Sequence, residues 1–197
     1  LQTGVWAKKA AKEAKAFGKY IPHGNFTYGE NFYSDTLPLQ WQMLRTPPDT
    51  PFEPNGAQGL ELYLGANNLR SQRHTGFIAL RAMHSNFGAE TEMHFMPESK
   101  SDFAGLAMFL DDQHNCQIGV TISGDDIPAL VVEQAQAEGD AAIKQEIASV
   151  PLGSRFRGRI FLKAERQGDN FRFMYKLGPS DEYIMLENQI PAKYLSL

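Results

Sequence analysis

Phe87-Gly88-Ala89-Glu90-Thr91-Glu92-Met93-His94-Phe95 is the stretch that decides the fold. Its odd positions are Phe, Ala, Thr, Met and Phe, and its even positions are Gly, Glu, Glu and His. Alternation with period 2 sends one set into a core and the other into water, which is the pattern of a half-buried strand. The pattern recurs on either side. Leu60, Leu62 and Leu64 alternate with Glu61 and Tyr63, and Ile78 and Leu80 with Ala79 and Arg81. Ile160, Leu162 and Ala164 alternate with Phe161, Lys163 and Glu165, and Phe171, Phe173, Tyr175 and Leu177 with Arg172, Met174 and Lys176. Tight-turn sequences punctuate the chain at Gly124-Asp125-Asp126, Gly168-Asp169-Asn170 and Gly178-Pro179-Ser180-Asp181. About ten such strands with no helix between them do not suit a parallel βαβ sheet. They predict an all-β fold of two antiparallel sheets packed face to face, a β-sandwich.

The N-terminus has a different period. Trp6, Ala10, Ala14 and Phe17 recur at helical spacing, Lys8, Lys9, Lys12 and Lys15 occupy the other sides, Gly18 supplies a stop and Pro22 blocks resumption. One short amphipathic helix is expected over Val5 to Phe17. The chain therefore divides into a helix and linker at residues 1–25 and a sandwich domain at residues 26–197. The apolar stripe is narrow and mostly Ala, which suits a packed linker helix better than a membrane-surface helix.

Composition removes several classes. A chain of 197 residues buries about 70% of its extended surface on folding, enough for a core without disulfides or a structural metal. The single cysteine, Cys116, excludes an intrachain disulfide framework and any multi-cysteine metal site. It lies in the apolar run Cys116-Gln117-Ile118-Gly119-Val120, so an inert, buried thiol is expected. Nineteen Lys and Arg against 23 Asp and Glu give a net charge of −4. A nucleic-acid partner wants a basic surplus, so none is expected. No apolar run approaches the roughly 20 residues that span a bilayer, so no membrane partner is expected either. The chain carries no signal-peptide pattern and begins at Leu1; it reads as a piece of a longer protein.

Motifs of catalysis are absent: there is no His-Glu-x-x-His, no Gly-rich phosphate loop and no Gly-x-Ser-x-Gly elbow. Glu90, Glu92 and His94 share one strand face at spacings of roughly 7 Å. Inverting glycosidases hold two carboxylates roughly 6.5–9.5 Å apart, but on opposite sides of the scissile bond. Side chains pointing the same way cannot do this. The three residues read as a solvated face paired with Arg81 or another cross-strand base. Asp111-Asp112-Gln113-His114-Asn115 offers oxygen ligands for a structural calcium but lacks the Gly and terminal Glu of an EF-hand loop. It reads as a polar turn, and no cofactor or metal site is expected. Trp41, Phe52, Tyr63 and Phe161 are candidates for stacking on sugar rings. In Thr46 to Ala57, Pro47, Pro48, Pro51 and Pro54 predict a stiff projecting loop that stays out of any ladder, with Phe52 as its one large apolar side chain.

The order of short motifs carries a resemblance. Asp35-Thr36-Leu37, Trp41, Leu44-Arg45-Thr46-Pro47, Gly59-Leu60-Glu61-Leu62, Phe87-Gly88-Ala89-Glu90-Thr91, Phe95-Met96-Pro97-Glu98-Ser99 and Ala104-Gly105-Leu106 follow one another. Ile160 to Ala164 and Phe171 to Tyr175 come after them. From about Asn31 to Leu197 this succession resembles the C-terminal concanavalin-A-like accessory domain of family 43 glycoside hydrolases, β-xylosidases and α-L-arabinofuranosidases. The resemblance implies a jelly-roll sandwich that packs on a catalytic five-bladed propeller. The propeller carries the three catalytic carboxylates, so this chain holds no catalytic residue. The substrate implied is a plant cell-wall oligosaccharide from xylan or arabinan, cleaved with inversion. In the family the loop after Leu-Arg-x-Pro reaches the active-site mouth with an aromatic residue. That aromatic falls near Pro48, and Phe52 comes four residues later. Trp41, Arg45, Phe52, Glu90, Glu92 and His94 are thus the candidates for ligand or domain contact. Ile190 to Ser196 resembles the stretch before the family's last strands, so an open sheet edge is expected. The alternatives are a stand-alone carbohydrate-binding module or lectin using Trp41, Glu90, Glu92 and His94, and a structural interaction domain.

With no opposed carboxylate pair, the chain alone is expected to hydrolyse no aryl xyloside or arabinoside. Turnover that survives purification and is abolished by Glu90→Gln contradicts this reading.

Overall fold

A computed structural model describes residues 27–34, 36–45, 50–56, 59–138, 141–186 and 190–195. The helix expected over Val5 to Phe17, the division at residue 25, and Pro47 and Pro48 lie outside the described residues. Four short strands come first: β1 (Gln42–Met43), β2 (Phe52–Pro54), β3 (Leu60–Leu62) and β4 (Ile78–Ala79). The long ones follow: β5 (Phe87–His94), β6 (Ala104–Phe109), β7 (Asn115–Ile122), β8 (Pro128–Glu138), β9 (Ala141–Pro151), β10 (Arg159–Gln167) and β11 (Asn170–Lys176). β12 (Ile184–Met185), β13 (Ile190–Pro191) and a 3₁₀ turn at Ala192–Leu195 end the described chain.

Two antiparallel sheets form the sandwich. One runs β12-β11-β10-β5 with β13 also on β11, and the other runs β6-β7-β8-β9. The alternation read from the sequence places the core. Cys116, Ile118, Val120, Leu130 and Val132 from one sheet meet Ile160, Leu162, Ala164, Phe171 and Phe173 from the other. Each buried Leu, Ile or Phe contributes on the order of 1.5–3 kcal/mol of burial free energy. The expected turns form as well: Gly168 takes φ +58° between β10 and β11, and the Asp181 amide donates to the Gly178 carbonyl at 3.2 Å.

β7 and β8 are sealed on both faces. Besides the core residues, Gln117, Thr121, Ala129, Val131 and Glu133 are buried on the outward face. Residues 27–86 supply cover there. Phe77 packs on Phe109, centroids 5.5 Å apart, and Arg70 reaches Glu133 at 3.1 Å. Glu133, 3% exposed, also accepts from Gln117 Nε2 at 3.1 Å and pairs with Lys144 Nζ at 2.7 Å. It sits beside a β-bulge, because Val132 opposes Ala148 while Glu133 opposes Glu146, which increases the local twist.

The proline-rich stretch departs from expectation. Phe52–Pro54 does join a ladder, with Phe52 opposite Leu62 and Pro54 opposite Leu60. A two-stranded ladder leaves one edge of each strand unpaired, where a missing N–H costs little. Pro51 serves only as an acceptor, its carbonyl taking the Tyr63 amide at 2.9 Å. The alternation of Leu60, Leu62 and Leu64 also fails as a burial signal. The strand ends at Leu62, and Leu62 and Leu64 are 46% and 56% exposed.

Removing the guanidinium in Arg70→Met should cost about 2–3 kcal/mol in urea unfolding, below the full loss for a buried pair because Lys144 and Gln117 remain. Glu133→Gln should cost less, since it removes the buried charge itself. The reverse order contradicts this account of the cluster. Cys116 is fully buried, and burial pushes its thiol from 9.0 up to about 12. The folded chain therefore keeps a proton that the unfolded chain loses. This contribution is complete below pH 9 and disappears as pH rises toward 12. Stability measured over that interval should fall less steeply in Cys116→Ala than in the wild type. Equal slopes count against it.

Candidate functional site

The six candidate residues fall into two groups. Trp41, Arg45 and Phe52 belong to residues 27–86, tied to the four-stranded sheet. Glu90, Glu92 and His94 stand on the outward face of β5, in the other sheet. Outward faces of a sandwich look in opposite directions, so the structure does not join the six into one site.

The first group is built from local chemistry. The Tyr28 hydroxyl donates to Glu30 at 2.8 Å and accepts from Gln40 Nε2 at 2.8 Å. The Phe32 amide donates to the other Glu30 oxygen at 3.0 Å. The Tyr28 hydrogen bond, followed by that of Phe32, holds the Glu30 carboxyl below its ordinary value. Phe32 takes φ 57°, a left-handed conformation rare for an aromatic residue. Its ring meets Trp41, centroids 5.1 Å apart at 53°. The indole is half-buried, with its Nε1 turned inward and without an acceptor among the described residues. One ring face is occupied and the polar edge is hidden, which makes Trp41 a packing residue more than an open sugar platform. Arg45 is strained too, at φ 61°, and donates from Nη1 to the Arg73 carbonyl at 3.0 Å. Strain of this kind concentrates at functional segments.

Phe52 opens the β2–β3 hairpin, where Glu53 lies directly opposite Glu61. Like charges in register repel, and neutral donors offset them. Tyr63 donates its hydroxyl to Glu53, and Asn55 donates to Glu61. The bond to Glu53 raises the Tyr63 hydroxyl above its ordinary value. Gly76 is packed so close that a Cβ would collide with the Tyr63 carbonyl. The hairpin is therefore held to the segment leading into β4. Among the described residues, nine of the fourteen exposed large apolar side chains lie between Tyr28 and Met83. They include Met43, Leu62, Tyr63, Leu64 and Met83, the last 80% exposed. Exposed large apolar side chains are therefore concentrated in this part of the described chain.

The second group is a network closed on itself. Arg159 Nε lies 2.8 Å from Glu92 Oε1, and His94 Nε2 lies 3.2 Å from the same oxygen. Arg159, not Arg81, is the cross-strand base. Partial burial pushes Glu92 up, but the hydrogen bonds from Arg159 and His94 outweigh it and leave the carboxyl below its ordinary value. Lys176 Nζ stands 5.0 Å from the Phe161 ring and 4.9 Å from the Tyr183 ring. Lys163 covers Tyr183 as well. Burial, and after it the charge of Glu90, pushes the Tyr183 hydroxyl up to about 12. Sequence reasoning missed Arg159, Lys176 and Tyr183, because strand register cannot be read from one strand alone. At the other end of the core, Asp111 caps its own turn, accepting from the Gln113 and His114 amides at 2.9 and 2.7 Å. Among the described residues no three His, Cys, Asp or Glu side chains converge as a metal site would need.

Residues 29–197 match the family described as the beta xylosidase C-terminal concanavalin A-like domain. The chain belongs to this family. The xylosidase/arabinosidase 43B of Humicola insolens is 25% identical over 161 residues, which is 81% of this chain and 29% of that protein. A GH43_12 structure retrieved from a capybara gut metagenome aligns with TM-score 0.76 at 25% identity, covering 91% of this chain and 33% of that one. A xylan beta-1,4-xylosidase from Bacillus halodurans aligns with TM-score 0.74 at 22% identity, covering 89% and 34%. This GH43 C-terminal domain thus spans about a third of the length of its solved relatives, and its sandwich is theirs.

Glu92→Gln should cost less than about 1 kcal/mol at neutral pH, as half-exposed pairs do. A lowered carboxyl contributes stability above its ordinary value of 4.5 and loses it as pH falls through the folded value. The wild-type advantage in melting temperature should therefore vanish in strong acid. An advantage that persists there contradicts the network.

Proposed function

We propose that this chain is the non-catalytic accessory domain of a family 43-type glycoside hydrolase, a xylan β-1,4-xylosidase or α-L-arabinofuranosidase. It packs through residues 27–86 on a five-bladed catalytic propeller and shapes the mouth of that propeller's active site. The observation that carries this reading is the concentration of exposed large apolar side chains within residues 27–86. An excess of exposed apolar side chains is what an interaction site presents. Family membership supports it, as does the length of the relatives, which leaves room for a catalytic part roughly twice the size of this chain. Phe52 supplies an aromatic anchor on a hairpin whose prolines and short ladder limit the entropy lost on docking. The substrate of the pair is a plant cell-wall oligosaccharide, hydrolysed by carboxylates of the propeller. The module or lectin reading is weaker, because Trp41 is covered by Phe32 and Glu92 is engaged by Arg159 and His94.

Phe52→Ala in the parent enzyme tests the reading. Docking at the mouth predicts a fall in kcat/KM of about tenfold, with little change in the melting temperature of the isolated domain. A melting temperature lowered by several degrees with intact kinetics makes Phe52 a packing residue and removes it from the rim.

A further inference from the structure

A cavity at one end of the sandwich has the chemistry of a sugar site. β8 overruns the core: Leu130 and Val132 point inward, and Gln134 and Gln136 continue the same face beyond them. Across the gap stand Pro191 of β13 and Lys193 and Tyr194 of the 3₁₀ turn, and His114 closes one side. The cleft is open to solvent on one side and offers about 490 Å³, within the roughly 300–1,000 Å³ of small-molecule sites.

The walls are fixed in advance. The Tyr194 hydroxyl is turned away into the protein, where it donates among the carbonyls of Gln113, at 2.9 Å, and Ala135. Burial pushes that hydroxyl up to about 12, so Tyr194 stays neutral, with its ring held as a wall. His114 Nδ1 lies 2.8 Å from Asp111 Oδ1, and its ring packs 5.8 Å from the Tyr194 ring. Two rings and a proline offer apolar surface. Gln134 hydrogen-bonds Tyr194 through its side-chain amide, and Gln136 is exposed. A primary amide donates and accepts at once, as does each hydroxyl of a sugar. The C–H face of a sugar ring suits an aromatic wall. A carboxylate or phosphate would call for a cluster of cations, whereas the described lining residues include Lys193 and the carboxylate-paired His114 as their basic groups.

We propose that this cavity binds a neutral sugar unit, the pyranose end of a soluble oligosaccharide. The inference goes beyond packing on a propeller and does not depend on it. Titration of the 197-residue chain with xylotriose, followed by amide NMR, tests it. The side-chain amides of Gln134 and Gln136 should shift with added sugar, and Gln136→Ala should weaken binding about fivefold to tenfold. Gln136 is exposed at the strand end, so this variant keeps the fold, and its backbone amide spectrum verifies that. Glu92→Gln, on the other sheet, should bind like the wild type. Shifts that map to Phe161 and Tyr183, equal affinity in Gln136→Ala, or no shift at all overturn the proposal. Binding of glucuronate without xylotriose also overturns it, because Lys193 would then be the reader. No propeller is present in the measurement, so a failure leaves the docking reading intact.

Discussion

Glu133 is turned away from the apolar core yet sealed from water, and Arg70, Lys144 and Gln117 all reach its carboxylate there. A buried carboxylate without partners would cost several kcal/mol. The cluster therefore admits few arrangements of the chain around it. Arg70 comes from a segment with four strands of two or three residues and little apolar burial of its own. Such a segment has few other means of fixing its position on a sheet. The ion pair, with Phe77 on Phe109, sets where residues 27–86 lie. The Arg45 contact to the Arg73 carbonyl then carries that placement toward Trp41 and the proline-rich hairpin.

The two outward faces of the sandwich consequently differ in kind. On β5, β10 and β11, charges and rings satisfy one another: Glu92 with Arg159 and His94, and Lys176 between Phe161 and Tyr183. Such a face is content in water. Over the other sheet, the covering segment presents Met43, Leu62, Leu64 and Met83 outward, and two of its residues, Phe32 and Arg45, hold left-handed backbone conformations. Among the described residues, exposed large apolar side chains are concentrated in residues 27–86, while the sheet of β5, β10 and β11 exposes Ile184 and Met185; this asymmetry supports the proposed meeting with a second domain.

Much of this was legible in the sequence. Period 2 located β5, β10 and β11 and assigned their buried faces correctly, because each is half-buried and its neighbours on the core side are apolar. β8 carried no such signal. Val131 and Glu133 are as buried as Leu130 and Val132, since a second layer covers their face, and alternation disappears when both faces are covered. Leu60, Leu62 and Leu64 misled for the opposite reason. Their alternation is real, but the face it marks is turned out of the domain. The prolines suggested a loop, and the structure places Pro54 in a two-stranded ladder, where a lost donor matters little. Of the candidate residues, Glu90, Glu92 and His94 were correctly placed on one face. Their partners were hidden, because register is a property of two strands. The end cavity was invisible from the sequence, since Gln134, Gln136 and Tyr194 are neighbours only after the sandwich closes.

The central claim is that residues 27–86 form the side of this domain that meets a catalytic partner. Hydrogen exchange of the chain, alone and within the intact parent protein, tests it most directly. The account predicts added protection concentrated in residues 27–86, strongest around the β2–β3 hairpin, with β5, β10 and β11 unchanged. Protection that appears on the outward face of β5, β10 and β11, and leaves residues 27–86 as exposed as before, would contradict it.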